Sequence, residues 1–299
     1  MLPGHYTEFL SFKQPTGLMV RVVAAGAFLD AASRLEVANG AKVRIEEIDS
    51  RAITTDPAVP PVSCFGPPTS SLTVERSHIL TTGTVGTPHF YQCVVTFDRV
   101  DFEVDRGSLM QVGTSTFVGD RLHLHGGAFG WASGGTNQRV QITNSLFEGM
   151  TPALDASDTG ASVSTFLFAF NTFIFKGDDM FGCPGTADSG NKVIRIENNI
   201  IVGLGTQSSI VYHPETCMPY MMNTMNRFEH NLLFPFTGAS GTNIVMDPKF
   251  VNTATKDFHI QATSPARNAA VPSADLTTDH DYEGTMRTGT FDIGAFEAP

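Results

Sequence analysis

Acids and histidines in the first half of the chain could transfer protons or hold a cation. His123 and His125 alternate in "LHLHG", so a β-strand would direct both imidazoles to one face. Glu46, Glu75 and Asp98 form an outward column that His125 continues. Stacked carboxylates repel and Ca²⁺ would relieve this, while carboxylate beside imidazole suits acid–base catalysis. We therefore predict Asp98, His123 and His125 as catalytic candidates, and Glu75 with Asp98 as a calcium site.

The same residues also fit a solvated face that does no chemistry. Arg44, Arg76 and Arg99 lie close enough in the sequence to pair with the acids, and exposed ion pairs are common on protein surfaces. An isolated pair of histidines is more often simply exposed than bound to a metal. Both interpretations stay open.

A second candidate is the pair Asp178 and Asp179 in "KGDDMFGC". Gly177-Asp178-Asp179 is similar to the Gly-Asp-Asp of polygalacturonases, in which paired carboxylates serve inverting hydrolysis. That family also has Asn-Thr-Asp before the tripeptide and Gly-His-Gly and Arg-Ile-Lys after it, and none of these is present at a suitable distance. The alternative is an ordinary turn, since Asp and Gly are common turn residues.

The elements that must position these residues repeat along the chain. Each unit begins with two apolar residues flanking one other residue, at a mean spacing of about 26 residues, which is typical of a solenoid. The doublets are Val20–Val22, Val43–Ile45, Leu72–Val74, Val95–Phe97, Leu122–Leu124, Val140–Ile142, Phe168–Phe170, Ile194–Ile196 and, more weakly, Asn226–Phe228.

A second apolar column follows five residues after the second residue of seven of these doublets. Its members are Ile79, Phe102, Phe129, Phe147, Phe175, Ile201 and Leu233. One coil of short strands cannot bury such faces alone, but stacked coils can. We therefore predict an all-β, single-domain, right-handed parallel β-helix of about nine coils. The alternative is a β-sandwich, which predicts no columns in register.

Two stretches with nearly the same pattern define the turn inside each coil. "VQITNSLFEG" at 140–149 and "IRIENNIIVG" at 194–203 both read as strand, turn, strand. Asn144 and Asn198 lie at the turn, where Asn tolerates the left-handed conformation and can hydrogen-bond along a stack.

Charge and composition narrow the classes of partner. The net charge of −11 argues against nucleic acid and makes a polyanionic substrate hard to hold without a bridging cation. No apolar run approaches the length of a membrane span. The opening "MLPGHYTEFL" lacks a signal-peptide pattern and already has the character of strand and turn, so we expect a leader and a first turn to precede it.

The periodicity stops after about residue 240. The pieces "DPKFVN", "KDFHIQATSPARNAA" and "TFDIGAFEAP" resemble, in this order, the C-terminal segment of bacterial right-handed β-helix repeat proteins, including those with a choice-of-anchor domain. "LPGHYTEFLSF" is similar to their first coil. The resemblance implies a secreted or cell-surface protein that often meets polysaccharide. We therefore divide the chain into a β-helix at 1–240 and a capping segment at 241–299, which would block an exposed sheet edge.

The four cysteines form an even set without a zinc-binding spacing. Cys183 and Cys217 lie in insertion loops that could meet, so we predict a disulfide between them, with Cys64–Cys93 as the second. The alternative is four free thiols.

Two functions remain at this level. The first is a secreted polysaccharide lyase or hydrolase, with Ca²⁺ as its only expected cofactor. The second is a non-catalytic surface protein for adhesion, glycan binding or structure. The expected partner is a polysaccharide or cell-surface glycan, and a monomer is expected.

Overall fold

The sequence repeats become coils of short parallel strands in the computed structural model. The described residues are 1–13, 17–30, 34–53, 60–82, 88–104, 110–126, 129–134, 137–149, 152–157, 163–175, 179–182, 192–204, 209–212, 227–235, 241–271, 273, 276 and 278–298.

These residues form 29 strands and one 3₁₀ helix, Thr253–Thr255. The first ten strands are β1 (Gly4–Tyr6), β2 (Phe9–Phe12), β3 (Met19–Val23), β4 (Ala27–Leu29), β5 (Arg34–Val37), β6 (Lys42–Glu46), β7 (Asp49–Ile53), β8 (Val62–Phe65), β9 (Ser71–Thr82) and β10 (His89–Tyr91). The next ten are β11 (Val94–Val104), β12 (Met110–Gly113), β13 (Thr116–Asp120), β14 (His123–Gly126), β15 (Phe129–Gly134), β16 (Arg139–Thr143), β17 (Leu146–Glu148), β18 (Pro152–Ser157), β19 (Ser164–Ala169) and β20 (Thr172–Phe175). The last nine are β21 (Asp179–Gly182), β22 (Lys192–Glu197), β23 (Ile200–Gly203), β24 (Ser209–Tyr212), β25 (Arg227–Glu229), β26 (Leu232–Phe234), β27 (Ile244–Val245), β28 (Phe250–Asn252) and β29 (Asp257–Ile260).

Three parallel ladders run along the molecule. The first ladder is β3-β6-β9-β11-β13-β16-β19-β22-β25. The second ladder is β1-β4-β7-β9-β11-β14-β17-β20-β23-β26-β27. The third ladder is β2-β5-β8-β10-β12-β15-β18, and β21 pairs separately with β24. The parallel β-helix is confirmed, and the coil count differs slightly from the predicted nine.

A residue in the left-handed backbone conformation forms the corner between the first and second ladders in most coils. These corner residues are Glu47, Arg76, Arg99, Arg121, Asn144, Phe170, Asn198 and His230. Asn144 (φ 48°) and Asn198 (φ 58°) confirm the conformation predicted for the turn. Strands β9 and β11 continue through this corner, so one strand serves both ladders.

The residue after the corner carries the hydrogen-bonded stack. Asn171 Nδ2 donates to Asn199 Oδ1 (3.0 Å), Asn199 to Asn231 (3.0 Å) and Asn231 to Asn243 (3.1 Å). The same oxygens accept backbone N–H groups of the preceding coil, such as that of Asn171 (2.9 Å). The stack therefore satisfies buried polar groups at the corner, where regular strand pairing stops.

Two sequence doublets are out of register with the structure. Phe117 and Gly119 of β13, not Leu122 and Leu124, pair with Val95 and Phe97. Phe166 and Phe168, not Phe168 and Phe170, pair with Val140 and Ile142. The sequence spacing of 18 residues between Leu122 and Val140 was too short for a full coil.

The core runs between the ladders as one apolar column. Phe102 and Phe147 are buried in it, as predicted, and Phe147 stacks on Phe173 at 4.3 Å between ring centroids. Phe173, not Phe175, pairs with Phe147 and Ile201, so Phe175 is buried but two residues out of the predicted register. Phe129 was predicted in this column but lies in β15 of the third ladder, and Leu124 pairs with Phe102 instead. Phe170 packs outside the core, beneath the C-terminal segment.

The C-terminal segment covers the outer side of the late coils. Gly294 N–H donates to Asn198 O (2.9 Å) and Ala295 N–H to Thr172 Oγ1 (3.1 Å). Apolar side chains of the late coils pack against apolar side chains of the segment. The residues from the coils are Leu146, Leu167, Ala169, Phe170, Ile174, Ile200, Val202 and Leu232. Among the described residues, no helix is long and apolar enough to cross a membrane.

The described cysteines are free thiols. Cys93 Sγ donates to the backbone oxygen of Cys64 (3.1 Å), and both residues are buried in the core. The neighbouring Cys93 thiol and burial raise the pKa of Cys64. The predicted Cys64–Cys93 disulfide is therefore not formed, and the predicted Cys183–Cys217 pair lies outside the described residues.

Candidate functional site

Histidines and acids gather on the outward side of the second ladder, from β7 to β17. Parallel pairing aligns Asp49 with His78, then Asp101, then His123, in consecutive coils. A neighbouring row aligns Glu103, His125 and Glu148. We name these seven residues the His–Asp face: Asp49, His78, Asp101, Glu103, His123, His125 and Glu148.

Asp101 lies at the centre of the His–Asp face. Its Oδ1 is 2.9 Å from His125 Nε2 and 3.2 Å from His123 Nδ1. The two imidazole rings stack at 4.3 Å between centroids. One ligand atom from each of the three residues falls within 4.8 Å of the others. The register brings them together, because His123 and His125 alternate outward on β14 and Asp101 faces outward on the adjacent strand β11.

The electrostatics of Asp101, His123 and His125, which we call the trio, favour an ionised carboxylate on Asp101. Burial opposes ionisation of Asp101, but hydrogen bonds and charge from His123 and His125 outweigh it, so the pKa of Asp101 lies below its usual range. The hydrogen bond to Asp101 in turn raises the pKa of His125. The pair His125–Asp101 therefore favours imidazolium with carboxylate in the absence of another ligand.

His78 lies beside the trio. One of its ring nitrogens contacts Asp49, and the other faces Asp101. Its Nδ1 is 3.1 Å from Asp49 Oδ1. Its Nε2 lies 3.7 Å from Glu103 Oε2 and 3.9 Å from Asp101 Oδ2, beyond hydrogen-bond length. A carboxylate that fixes one nitrogen of an imidazole and leaves the other toward a substrate is the arrangement of an oriented general base.

Glu148 approaches the trio from the other side. Its Oε1 forms an ion pair with Lys256 Nζ (2.7 Å), and its Oε2 is 3.4 Å from His123 Nε2. That nitrogen is shielded from solvent and makes no hydrogen bond among the described residues. A buried, unsatisfied ring nitrogen is unfavourable unless something orders it.

A groove adjoins the His–Asp face at the corner of the coils. Its volume is about 310 Å³, and it is lined by Arg99, Val100, Asp101, Arg121, His123 and Tyr282. It therefore places two guanidinium groups and one aromatic ring next to the acid and imidazoles.

The predicted acidic column is paired with arginines. Glu75 Oε2 accepts from Arg44 Nη2 (2.7 Å), and Asp98 accepts from Arg121 Nη2 (2.6 Å) and Arg99 Nη2 (3.0 Å). These acids therefore form ion pairs with arginines, which was one of the two interpretations that the sequence analysis left open. Calcium at Glu75 and Asp98 stays a prediction.

His125 does not continue that column. Asp120 pairs with Asp98 across the first ladder, whereas His125 pairs with Glu103 in the second. The expectation that His125 stacks on Asp98 is therefore wrong, because β13 occupies the place assigned to Leu122–Leu124. The structure does bring His123 and His125 together, as their alternation predicts.

A second groove, of about 480 Å³, lies where the C-terminal segment crosses the corner. Asp120, Thr143, Thr278, Asp279 and His280 line it. His280 Nε2 is 2.7 Å from Asp120 Oδ2, and its other nitrogen contacts Asp279. These contacts fasten the segment to the coils.

The remaining candidates fall at the margin of the described residues. Asp179 begins β21, which pairs with β24, and its side chain is not described. Asp178 lies outside the described residues. Their predicted role in hydrolysis stays a prediction.

Asp101 was missed from the sequence although a signal was present. The acid–arginine dipeptides Glu75-Arg76, Asp98-Arg99 and Asp120-Arg121 mark the corner in three consecutive coils. Aligning "ERSHI", "DRVDF" and "DRLHL" on them places His78, Asp101 and His123 in one column.

Comparisons with known proteins bear on the fold alone. No protein-family model matches the sequence, and no curated protein matches it. One similar solved structure is the crystal structure of pectate lyase Pel9A, at 15% identity and a TM-score of 0.43, covering 99% of this chain and 86% of that chain. A similarity this distant carries no argument about chemistry.

Proposed function

We propose that the chain acts on an acidic polysaccharide that lies along the outward side of the coils and is cleaved at the His–Asp face. The observation that carries this proposal is the convergence of Asp101 with two imidazoles beside a groove bearing Arg99 and Arg121. Parallel coils present such groups at a regular spacing, which suits a polymer.

The chemistry that these groups support best is β-elimination next to a uronate carboxylate. His78, oriented by Asp49, takes the proton from the carbon beside the carboxylate. The bond from the neighbouring carbon to the glycosidic oxygen breaks, a carbon–carbon double bond forms, and the departing oxygen takes up a proton. Positive charge near the substrate carboxylate stabilises the carbanionic transition state. We assign His123 and His125, the catalytic candidates from the sequence, to the same centre, and Asp98 borders it through Arg121.

Tyr282 supports a sugar ring at this place. It lines the groove and packs edge-on against Phe296 at 5.2 Å between centroids, so its ring is held. Burial raises the pKa of Tyr282 to about 12, which keeps the phenol neutral as an amphipathic surface.

Localisation and origin belong to the same proposal. Acidic polysaccharides of this kind are extracellular, so the protein acts as a secreted or surface protein. A bacterial source and a choice-of-anchor type of segment at 241–299 follow from the sequence resemblance and stay predictions.

The test is a panel of uronate-containing polysaccharides incubated with the full chain. A lyase gives unsaturated products that absorb in the ultraviolet; a hydrolase acting through Asp178 and Asp179 gives reducing ends without that absorbance. We expect H78A to lower the turnover rate by about 10²–10⁴-fold, the usual contribution of a general base.

The matched control is H5A, since His5 also faces outward from the second ladder and pairs with an acid, Asp30 (2.9 Å). H5A should keep full turnover, and both variants should keep the melting temperature. Retention on glycan arrays without cleavage would instead indicate an adhesion or binding protein, and H78A with normal turnover would remove His78 from the mechanism.

A further inference from the structure

We propose that Asp101, His123 and His125 bind one divalent transition-metal ion of the Zn²⁺ class. The ion would contact Asp101 Oδ1, His123 Nδ1 and His125 Nε2. This deepens the proposed function, because a metal is the bridging cation that an acidic polymer needs on an acidic face. The metal site itself rests on the geometry alone.

The distances from Asp101 to the two imidazoles are close to those around a bound zinc ion. Asp101 Oδ1 lies 3.2 Å from His123 Nδ1 and 2.9 Å from His125 Nε2. Around a tetrahedral Zn²⁺ with bonds near 2.0–2.1 Å, ligand atoms stand roughly 3.3 Å apart. Both distances from Asp101 thus differ from this value by a few tenths of an ångström, and the two ring nitrogens lie within 4.8 Å of each other.

The donor types select the metal. Two imidazoles and one carboxylate with open positions are typical of catalytic zinc and of related first-row ions. Ca²⁺ takes six to eight oxygen ligands and does not select imidazole. The site is thus distinct from the calcium site predicted at Glu75 and Asp98, whose carboxylates are occupied by arginines.

A second, independent observation is the orientation of His123. Its Nδ1 faces Asp101, while its shielded Nε2 has Glu148 Oε2 at 3.4 Å and no hydrogen bond among the described residues. Lys256 holds the other oxygen of Glu148 (2.7 Å). A metal on Nδ1 fixes the proton on Nε2, which then donates to Glu148 and forms the usual carboxylate–histidine–metal relay.

Charge around the trio also favours a cation. Four carboxylates belong to the His–Asp face: Asp49, Asp101, Glu103 and Glu148. Arg51 pairs with Asp49 (3.0 Å) and Lys256 with Glu148, which leaves Asp101 and Glu103 facing the imidazoles. A divalent ion lowers the repulsion among these groups.

The test uses tag-free, chelator-treated full-length protein titrated with Zn²⁺ alone, and with Co²⁺ for its visible spectrum. We expect one Zn²⁺ per chain and a four- or five-coordinate Co²⁺ spectrum. D101N, H123A and H125A should each weaken Zn²⁺ binding by more than about 100-fold, and E148Q by roughly 10–100-fold. H5A is the control, because its His–Asp pair lacks a second imidazole, and it should bind normally.

The titration decides the site separately from the polysaccharide assay. Binding well below one ion per folded chain, or unchanged binding in H125A, would overturn the metal site. Each variant is checked by circular dichroism, and D101N removes a ligand charge at nearly constant shape. Zn²⁺ binding without cleavage of any polysaccharide would leave the metal site standing and reject the proposed function.

Discussion

Glu46 is enclosed by three arginines, two of them from neighbouring coils and one from its own strand. Its carboxylate oxygens accept hydrogen bonds from Arg21 Nε (2.6 Å) and Arg76 Nη2 (2.8 Å), and Arg44 Nε lies 3.1 Å away as an ion pair without a hydrogen bond. The hydrogen bond from Arg21, with further help from Arg76, lowers the pKa of Glu46 from its ordinary 4.5 to about 2. At this scale the acidic column stabilises the fold, while the neighbouring His–Asp face keeps imidazoles available for ligands.

The first prediction concerns this carboxylate. A folded-state pKa below the unfolded one gives stability that is present above pH 4.5 and lost as the pH falls toward 2. E46Q should therefore lower the melting temperature at neutral pH and show a smaller further decrease between pH 4.5 and 2 than the wild type. Differential scanning calorimetry across this range measures both. E8Q, at an exposed glutamate, should follow the wild-type curve; identical curves for E46Q and wild type would contradict the assignment.

The asparagine stack is the element that holds the corner of the late coils. Asn199 is fully buried, accepts from Asn171 twice, and donates to the backbone oxygens of Phe168 and Glu197 (3.0 Å each). Removing its amide takes the acceptor from the Asn171 backbone N–H, whereas Asn171 Nδ2 keeps its bond to Ile142 O (3.0 Å).

N199A should therefore reduce the free energy of unfolding by roughly 1–3 kcal/mol for each polar group left buried and unpaired. Urea unfolding followed by circular dichroism measures the loss. N243A makes the same change at the end of the stack, where Asn243 is only half-buried and water can reach the groups it leaves, so it should cost clearly less. Equal losses at both positions would mean that the stack contributes no more inside than at its end.

The elements could be predicted better than their register. Apolar doublets with two-residue periodicity are enough to predict the strands, and "ITNS" and "IENN" predict the left-handed corners at Asn144 and Asn198. Loop length hid the register of β13, because Phe117 and Leu122 both begin apolar alternations and only the coil spacing distinguishes them. Asp101 was missed for the same reason, since a site assembled from adjacent coils is visible in sequence only after the coils are aligned.

The whole molecule is asymmetric along its axis. The C-terminal segment covers the outward side of the late coils, where the second ladder carries Leu146, Ile174, Ile200 and Val202. The early coils carry the His–Asp face instead. Apolar outward residues therefore mark the half beneath the segment, and polar ones mark the early half.

Arg287 is the main polar anchor of that cover. Its side chain is fully buried, pairs with Glu297 (2.7 Å), donates to Gly294 O (2.8 Å) and lies 4.8 Å from the ring centre of Phe170. R287Q should destabilise the protein by about 3–5 kcal/mol, because it breaks a buried ion pair and leaves Glu297 uncompensated.

Hydrogen–deuterium exchange is the measurement for R287Q. Amide exchange should rise over 278–298 and over the outer strands beneath them, and stay near the wild-type rate in β3 to β9. K249Q, at an exposed lysine of the same segment, is the control and should change little. Uniform exchange across all coils would show instead that the cover and the coils unfold as one unit.

The candidate site around Asp101 is assembled from three coils, whereas duplication or deletion acts on one coil at a time. A coil is the piece of chain that duplication or deletion adds or removes, and a β-helix tolerates such changes because each coil contacts only the next. Asp101 belongs to one coil, His78 to the coil before it, and His123 and His125 to the coil after it. Recombination that gains or loses a single coil between them can preserve the scaffold and erase the site in one step. Relatives with this architecture can therefore share a fold while their chemistry is rebuilt at another position along the axis.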